Sequence, residues 1–292
     1  MSRVALGALT SLWTVLALSV AASPAPAQVT VLADSVNAPR LHRRVRYHVV
    51  LPVGYDSTQR YPVLWLLHGY GGDDEDWLRY TRLTRYVAPY PIIVVLPSAE
   101  NSWYVNAVGD SSARYEDFIT RDLYGDVRRN FAVDTQRQAI AGLSMGGYGA
   151  AMLGLRYPER FRFIGALSAA LTVPADLRDP RAVGAFAEPT LLRAFGREPN
   201  GERVAHDPFR LYRRTPPQRL PYIYLAIGTS DEFTTFLPRS RAFADSLRAY
   251  GARYEYHERP GRHSWQFWDT ELPPLLARAW LELTAVRPEA PK

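Results

Sequence analysis

The sequence predicts a single α/β domain: a mainly parallel central sheet, helices on both of its faces, and an insertion above the carboxyl-terminal edge of the strands. Three observations carry this expectation. Short, wholly apolar runs recur along the chain, stretches of helical period separate them, and the composition can fill a large core. Runs of about five apolar residues suit strands buried on both faces, whereas a half-exposed strand alternates. The chain has 292 residues, of which 47% are apolar, and a chain of about 300 residues buries roughly three quarters of its unfolded surface. Disorder is excluded as the dominant state.

Each element follows in order. Residues 1–27 read as a secretory signal peptide: Arg3 precedes an apolar run from Val4 to Val20, and a Pro/Ala-rich stretch offers a small-x-small cleavage site after Ala27. The folded domain is then expected over 28–292. Residues 45–51 alternate before a Pro-Val-Gly turn, suggesting an early antiparallel strand. The apolar runs 63–67, 92–96 and 223–227 predict buried strands. Ile119, Leu123, Val127 and Phe131 recur every four residues; Tyr148, Ala151, Met152 and Leu155 follow the i, i+3, i+4, i+7 pattern; Phe243, Leu247 and Tyr250 repeat it more weakly. Strands alternating with helices give the α/β class. Residues 171–216, rich in Pro, Arg, Asp and Gly, break the rhythm and read as a lid-like excursion above the sheet, where ligands bind in such folds.

Composition narrows the chemistry. There is no cysteine, so a disulfide framework, a Cys-ligated metal and a thiol nucleophile are all excluded. The formal charge is +6, yet Lys292 is the only lysine and the arginines are scattered among carboxylates. A phosphate-tracking surface would cluster them on one face, so no nucleic-acid partner is expected. No stretch after the signal could span a membrane. The sequence carries no signal for oligomeric state.

Gly142-Leu143-Ser144-Met145-Gly146 fits the G-x-S-x-G pattern. It follows a strand-like segment, 138–141, and opens the helical period beginning near Tyr148, the strand-turn-helix setting that exposes a nucleophilic serine on a sharp turn. A serine hydroxyl needs a base, and the base an orienting acid. His263, in the loop 260–265, follows the strand-like 254–257; Asp231 stands at the carboxyl end of the strand 223–227. His206 and His257 are the other histidines after Ser144, one in the excursion and one inside a strand pattern. For the acid, the adjacent Glu232 is the main rival to Asp231, and Asp207 comes next. Acyl transfer also requires N–H donors facing the developing oxyanion. The turn 68–72 (His-Gly-Tyr-Gly-Gly) follows the first buried strand and offers the N–H of Tyr70, while Met145 offers the N–H after the serine. His68 reads as a loop histidine.

Taken together, Leu66-Leu67-His68-Gly69-Tyr70-Gly71-Gly72 with Asp76-Trp77, Asn101-Ser102-Trp103-Tyr104, the block 142–150, Gly228 to Asp231 and Gly261-Arg262-His263-Ser264-Trp265 resemble the Putative esterase branch of the α/β-hydrolases. That branch includes tributyrin-type esterases, feruloyl esterases, S-formylglutathione hydrolases and antigen 85 mycolyltransferases. The resemblance covers residues 40 to 285. It implies an α/β-hydrolase fold, Ser144 as nucleophile, His263 as base, Asp231 as acid, and the N–H groups of Tyr70 and Met145 as oxyanion hole. It further implies that Trp103 and Tyr104 lie near the acyl pocket. Trp265 is a further candidate for the substrate pocket, and the expected mechanism needs neither metal nor organic cofactor. The expected activity is that of a secreted or periplasmic serine carboxylesterase acting on small-molecule esters, short-chain or hydroxycinnamoyl, plant cell-wall esters among them. A siderophore esterase, an acyltransferase and a non-catalytic ligand-binding protein of the same fold are the alternatives.

Overall fold

A computed structural model describes residues 28–174, 183–197 and 200–286. Residues 1–27, expected to be a signal peptide, and residues 175–182 and 198–199 of the excursion lie outside the described residues. The strands are β1 (Thr30–Ala38), β2 (Arg43–Leu51), β3 (Tyr61–Leu67), β4 (Ile93–Pro97), β5 (Val133–Leu143), β6 (Phe163–Leu167), β7 (Tyr222–Gly228) and β8 (Tyr254–Arg259). They form one sheet in the order β1-β2-β4-β3-β5-β6-β7-β8. β2 pairs antiparallel with both β1 and β4, and from β4 through β8 every neighbour is parallel.

The continuous apolar runs are strands for the reason the sequence suggests. All seven residues of β3 are buried, and side chains of alternate residues enter opposite layers. Val63, Trp65 and Leu67 pack with the helices Met145–Arg156 and Phe236–Tyr250, while Leu64 and Leu66 pack with the helix Trp265–Thr284. Pro62 has no N–H to donate, and the β3–β5 register shifts there, from Tyr61↔Val133 to Val63↔Gln138. Trp65 Nε1 then donates to the Gln138 side-chain amide oxygen, Oε1, at 3.1 Å, tying the strands where the ladder slips.

Two strands escape the sequence pattern. β1 is an edge strand whose first five residues are exposed, so it carries no apolar run. β6 is only five residues long and contains Gly165 and Ala166. The four-residue spacing of Ile119, Leu123 and Val127 belongs to one helical stretch, 115–130, which widens into a π-helix at Phe118–Leu123 and ends before Phe131, whose backbone is extended. Described parts of the excursion form the short helices Glu188–Phe195, Gly201–Ala205 and Pro208–Leu211.

This topology decides where chemistry can occur. The loops after β3, β5, β7 and β8 all leave the carboxyl ends of parallel strands, and they carry Tyr70, Ser144, Asp231 and His263 respectively.

Candidate active site

Ser144 lies between β5 and the helix Met145–Arg156 with φ 53° and ψ −116°. A side chain in such a region costs of order 1–3 kcal/mol, so the surroundings must impose it. They do: Ser144 N donates to Leu167 O at 2.9 Å, and Ser144 O accepts from Tyr148 N and Ala170 N at 3.0 and 3.1 Å. The turn is also too tight for side chains beside it. A Cβ on Gly142 would meet the Gly146 carbonyl, and one on Gly146 would meet the His68 carbonyl. The glycines therefore bring the serine turn against the loop that follows β3.

A continuous hydrogen-bonded chain joins three loops. His263 Nε2 lies 2.9 Å from Ser144 Oγ, and His263 Nδ1 lies 2.8 Å from Asp231 Oδ2. The Asp231 side chain is fully buried and that of His263 is 11% exposed, so the carboxylate is sealed while the imidazole reaches the cavity. Asp231 Oδ1 accepts from Phe233 N at 3.0 Å, which fixes the carboxylate plane. Phe233, Phe236 and Trp268 meet the imidazole edge-on, at ring-centroid distances of 4.6, 5.6 and 4.9 Å.

The rival acid has a different position. Glu232 Oε2 accepts from the backbone N–H of His263 at 2.8 Å, and its other oxygen meets the Arg262 guanidinium. The His263 N–H and then Arg262 hold the Glu232 carboxyl down to about 2. Asp207 caps the helix Pro208–Leu211, accepting from Phe209 N at 2.9 Å. The remaining histidines after Ser144 are also accounted for. His257 Nε2 pairs with Glu255 at 2.9 Å, and His206 Nε2 pairs with the buried Glu116 at 2.9 Å.

His68 is buried between an unambiguous acceptor and an unambiguous donor. Its Nδ1 lies 2.7 Å from Gly69 O and its Nε2 accepts from Ala99 N at 2.9 Å, which requires the neutral tautomer protonated on Nδ1. Burial likewise lowers its pKa. The histidine thus stiffens the 68–72 turn, as does Asn101, whose Oδ1 accepts from Gly71 N at 2.6 Å. Among the described residues neither the Tyr70 N–H nor the Met145 N–H meets an acceptor.

These groups open into a cavity of about 490 Å³. Ser144 and His263 line it together with the aromatic side chains Tyr70, Trp103, Phe186, Phe233, Trp265 and Trp268. Trp103 and Trp265 line this cavity, and Tyr104 does not. It is fully buried, its hydroxyl donates to His68 O at 2.8 Å, and its ring lies against Gly149, where a Cβ would collide with it. Phe186, Phe233 and Phe236 carried no motif. Phe186 comes from the excursion, 57% exposed, and its carbonyl accepts from the Tyr70 hydroxyl at 3.3 Å.

A family model described as Putative esterase matches residues 38–279. An acetyl esterase of Caldicellulosiruptor saccharolyticus is 31% identical over 223 residues, which are 73% of this chain and 81% of that protein. An endo-1,4-beta-xylanase/feruloyl esterase of Xylanibacter ruminicola is 33% identical over 152 residues, 47% of this chain but only 21% of that longer protein. The fluorophosphonate-binding serine hydrolase F of Staphylococcus aureus superposes with a TM-score of 0.76 at 23% identity, covering 86% of this chain and 98% of its own. At that identity the superposition speaks for the fold, an α/β-hydrolase. Sheet, family match and relatives agree: the chain belongs to the Putative esterase family of α/β-hydrolases and is a carboxylic ester hydrolase.

Proposed function

We propose that this enzyme hydrolyses esters through a Ser144–His263–Asp231 triad and an acyl-enzyme. The observation that carries the proposal is the unbroken hydrogen-bond chain from Asp231 Oδ2 through the imidazole to Ser144 Oγ, opening into an aromatic cavity. In the first step His263 Nε2 takes the hydroxyl proton as Ser144 Oγ bonds to the ester carbonyl carbon. Asp231 accepts from Nδ1–H and stabilises the imidazolium that forms. The Tyr70 and Met145 N–H groups receive the carbonyl oxygen as it becomes negative. Collapse of the tetrahedral species breaks the C–O bond, and the alcohol leaves with the proton from Nε2. Water then repeats the sequence on the acyl-enzyme and releases the acid.

The substrates we assign are small acyl esters, acetyl through hydroxycinnamoyl. Planar aromatic acyl groups suit a cavity walled by Tyr70, Trp103, Phe186 and Trp265, and relatives at 31% and 33% identity are an acetyl esterase and a xylanase/feruloyl esterase. Plant cell-wall esters belong to this class. We further propose that residues 1–27 direct export to a periplasmic or extracellular site, and that 28–292 form one domain with the 171–216 excursion as a lid-like cover. Among the described residues no helix is long and apolar enough to cross a membrane.

Ser144→Ala is expected to abolish hydrolysis of p-nitrophenyl acetate and butyrate and labelling by a fluorophosphonate probe, with the circular dichroism spectrum retained. Turnover at the wild-type rate would remove Ser144 from the mechanism. A panel of acetyl, butyryl, feruloyl and ferric-siderophore esters ranks the acyl classes, and the feruloyl ester is expected to give the highest kcat/KM.

A further inference from the structure

Asp76 belongs to a sequence motif, Asp76-Trp77, to which the triad gives no role, yet it lines the cavity that holds Ser144. Among the described residues lining that cavity it is the one carboxylate, and no arginine or lysine joins it there. Its side chain is largely buried, with Oδ2 accepting from Asp73 N at 3.3 Å and Oδ1 standing 3.6 Å from Arg79 Nη1. Gly72 makes the room, because a Cβ there would meet Asp76 Oδ2.

The charge around Asp76 is only partly offset. Residues 73–76 are four consecutive carboxylates, Asp73, Asp74, Glu75 and Asp76. Among the described residues they meet two guanidinium groups, Arg46 on Asp74 and Glu75, and Arg79 on Glu75 and Asp76, together with the His48 imidazole on Asp74. The segment keeps a net negative charge in either state of His48. Burial, and then the Asp73 carboxylate, raise the Asp76 carboxyl above its ordinary value, as like charges nearby require. Arg46 and Arg79 are exposed and screened by water, whereas Asp76 acts through the low-dielectric walls of the cavity.

The aromatic lining divides in two about the histidine. Tyr70, Trp103, Phe186, Phe233 and Phe236 form one set of ring contacts. Tyr80, Trp265 and Trp268 form the other, and among the described residues His263 is the ring that both sets touch. Asp76 stands with the second set: Tyr80 is one turn further along its helix, and the adjacent Trp77 meets Trp265 edge-on at 5.5 Å. The apolar first set suits the acyl chain, which leaves the alcohol half of the ester on the Asp76 side.

We infer that Asp76 is a specificity-determining residue that turns away esters of anionic alcohols and favours neutral and, above all, cationic ones, such as amino alcohols. The inference rests on the nucleophile and acyl assignments proposed above.

Three thioesters of butyrate carry the test charge on the leaving half alone: butyrylthiocholine is cationic, its 3,3-dimethylbutyl analogue neutral, and the 3-mercaptopropionate thioester anionic. The released thiol is read with Ellman's reagent, without background from a chain that has no cysteine. Asp76→Asn keeps an oxygen for the Asp73 N–H and removes the charge. The cation-over-anion ratio of kcat/KM is compared between this variant and wild type, so that intrinsic reactivity cancels. It is expected to fall about tenfold in Asp76→Asn, and a ratio within about twofold of wild type in the folded variant would overturn the inference. Should Asp76→Asn not fold by circular dichroism, salt decides on the wild type. Raising NaCl from about 10 mM to about 1 M shortens the Debye length from about 30 Å to about 3 Å and is expected to contract the ratio severalfold, and a salt-insensitive ratio would overturn the inference. Ser144→Ala separates the two readings. Neutral-thioester turnover retained there removes the catalytic reading and this inference with it, whereas an unchanged ratio beside serine-dependent turnover removes this inference alone.

Discussion

Glu232 grips the main chain of His263, its Oε2 2.8 Å from the histidine N–H, while the preceding residue Asp231 grips the side chain at the same distance. Adjacent carboxylates thus hold one histidine by its two ends. The division of labour follows from burial: the Asp231 side chain is 0% exposed and Glu232 43%. A sealed carboxylate acts strongly on the imidazole, and an exposed one fixes only the loop.

The two carboxylates should separate kinetically. Asp231→Asn is expected to lower kcat by about a thousandfold or more, through the wrong imidazole tautomer. Glu232→Ala is expected to cost about tenfold in kcat/KM, and Glu232→Gln less, since an amide oxygen can still accept from the His263 N–H. Steady-state kinetics on p-nitrophenyl butyrate checks both, and equal losses would contradict the assignment.

Acid stability should depend on Glu116. Burial alone would raise this carboxyl, but donors from His206, Tyr157 and Arg156 outweigh it and hold the pKa below the usual value. A carboxyl depressed in the folded state contributes stability fully above about pH 4.3, its unfolded value, and loses it as the pH falls through the folded value. Urea midpoints are expected to drop below that pH in the wild type and to change less in Glu116→Gln.

Removing one partner of the same buried network should be costly at neutral pH. His206→Ala leaves Glu116 short of a donor, and breaking such a buried pair costs about 3 kcal/mol. Chemical denaturation at pH 7 measures it, and a change within error of zero would show that water replaces the imidazole.

Close approach at the serine turn can be probed by a single methyl. Gly146→Ala places a Cβ against the backbone carbonyls of His68 and Leu67, which cannot rotate away. We expect activity to fall about a hundredfold, as misplacing the proposed oxyanion donors should do, together with a lowered melting temperature.

The aromatic rim should set acyl preference. Phe186→Ala is expected to raise KM for a feruloyl ester about fivefold to tenfold, because an aromatic contact is worth about 0.5–1.5 kcal/mol. KM for p-nitrophenyl acetate is expected to stay within a factor of about two. A uniform change across both esters would place Phe186 outside acyl recognition.

Legibility in the sequence tracked the range of the interactions. β3, β4 and β7 could be read because burial on both faces writes itself into consecutive residues. The edge strand β1 wrote no such signal, since its stability comes from pairing with β2. Ser144, Asp231 and His263 were selected by chain order and strand ends, features that survive without coordinates. The Glu232 clamp, the buried post of Tyr104 and the Phe186 contact with Tyr70 arise between loops brought together by the sheet, the last across 116 positions, and no local pattern encodes them.

The edge-on contact between His263 and Trp268 has an optical consequence. An indole ring whose N–H is fixed on Ser168 Oγ at 3.2 Å stands 4.9 Å from the His263 imidazole. Emission from so close an indole depends on where that imidazole sits, so the difference in fluorescence between wild type and Trp268→Phe should change in His263→Ala. The enzyme carries its own reporter, and a displacement of the His263 ring becomes visible without substrate, label or turnover.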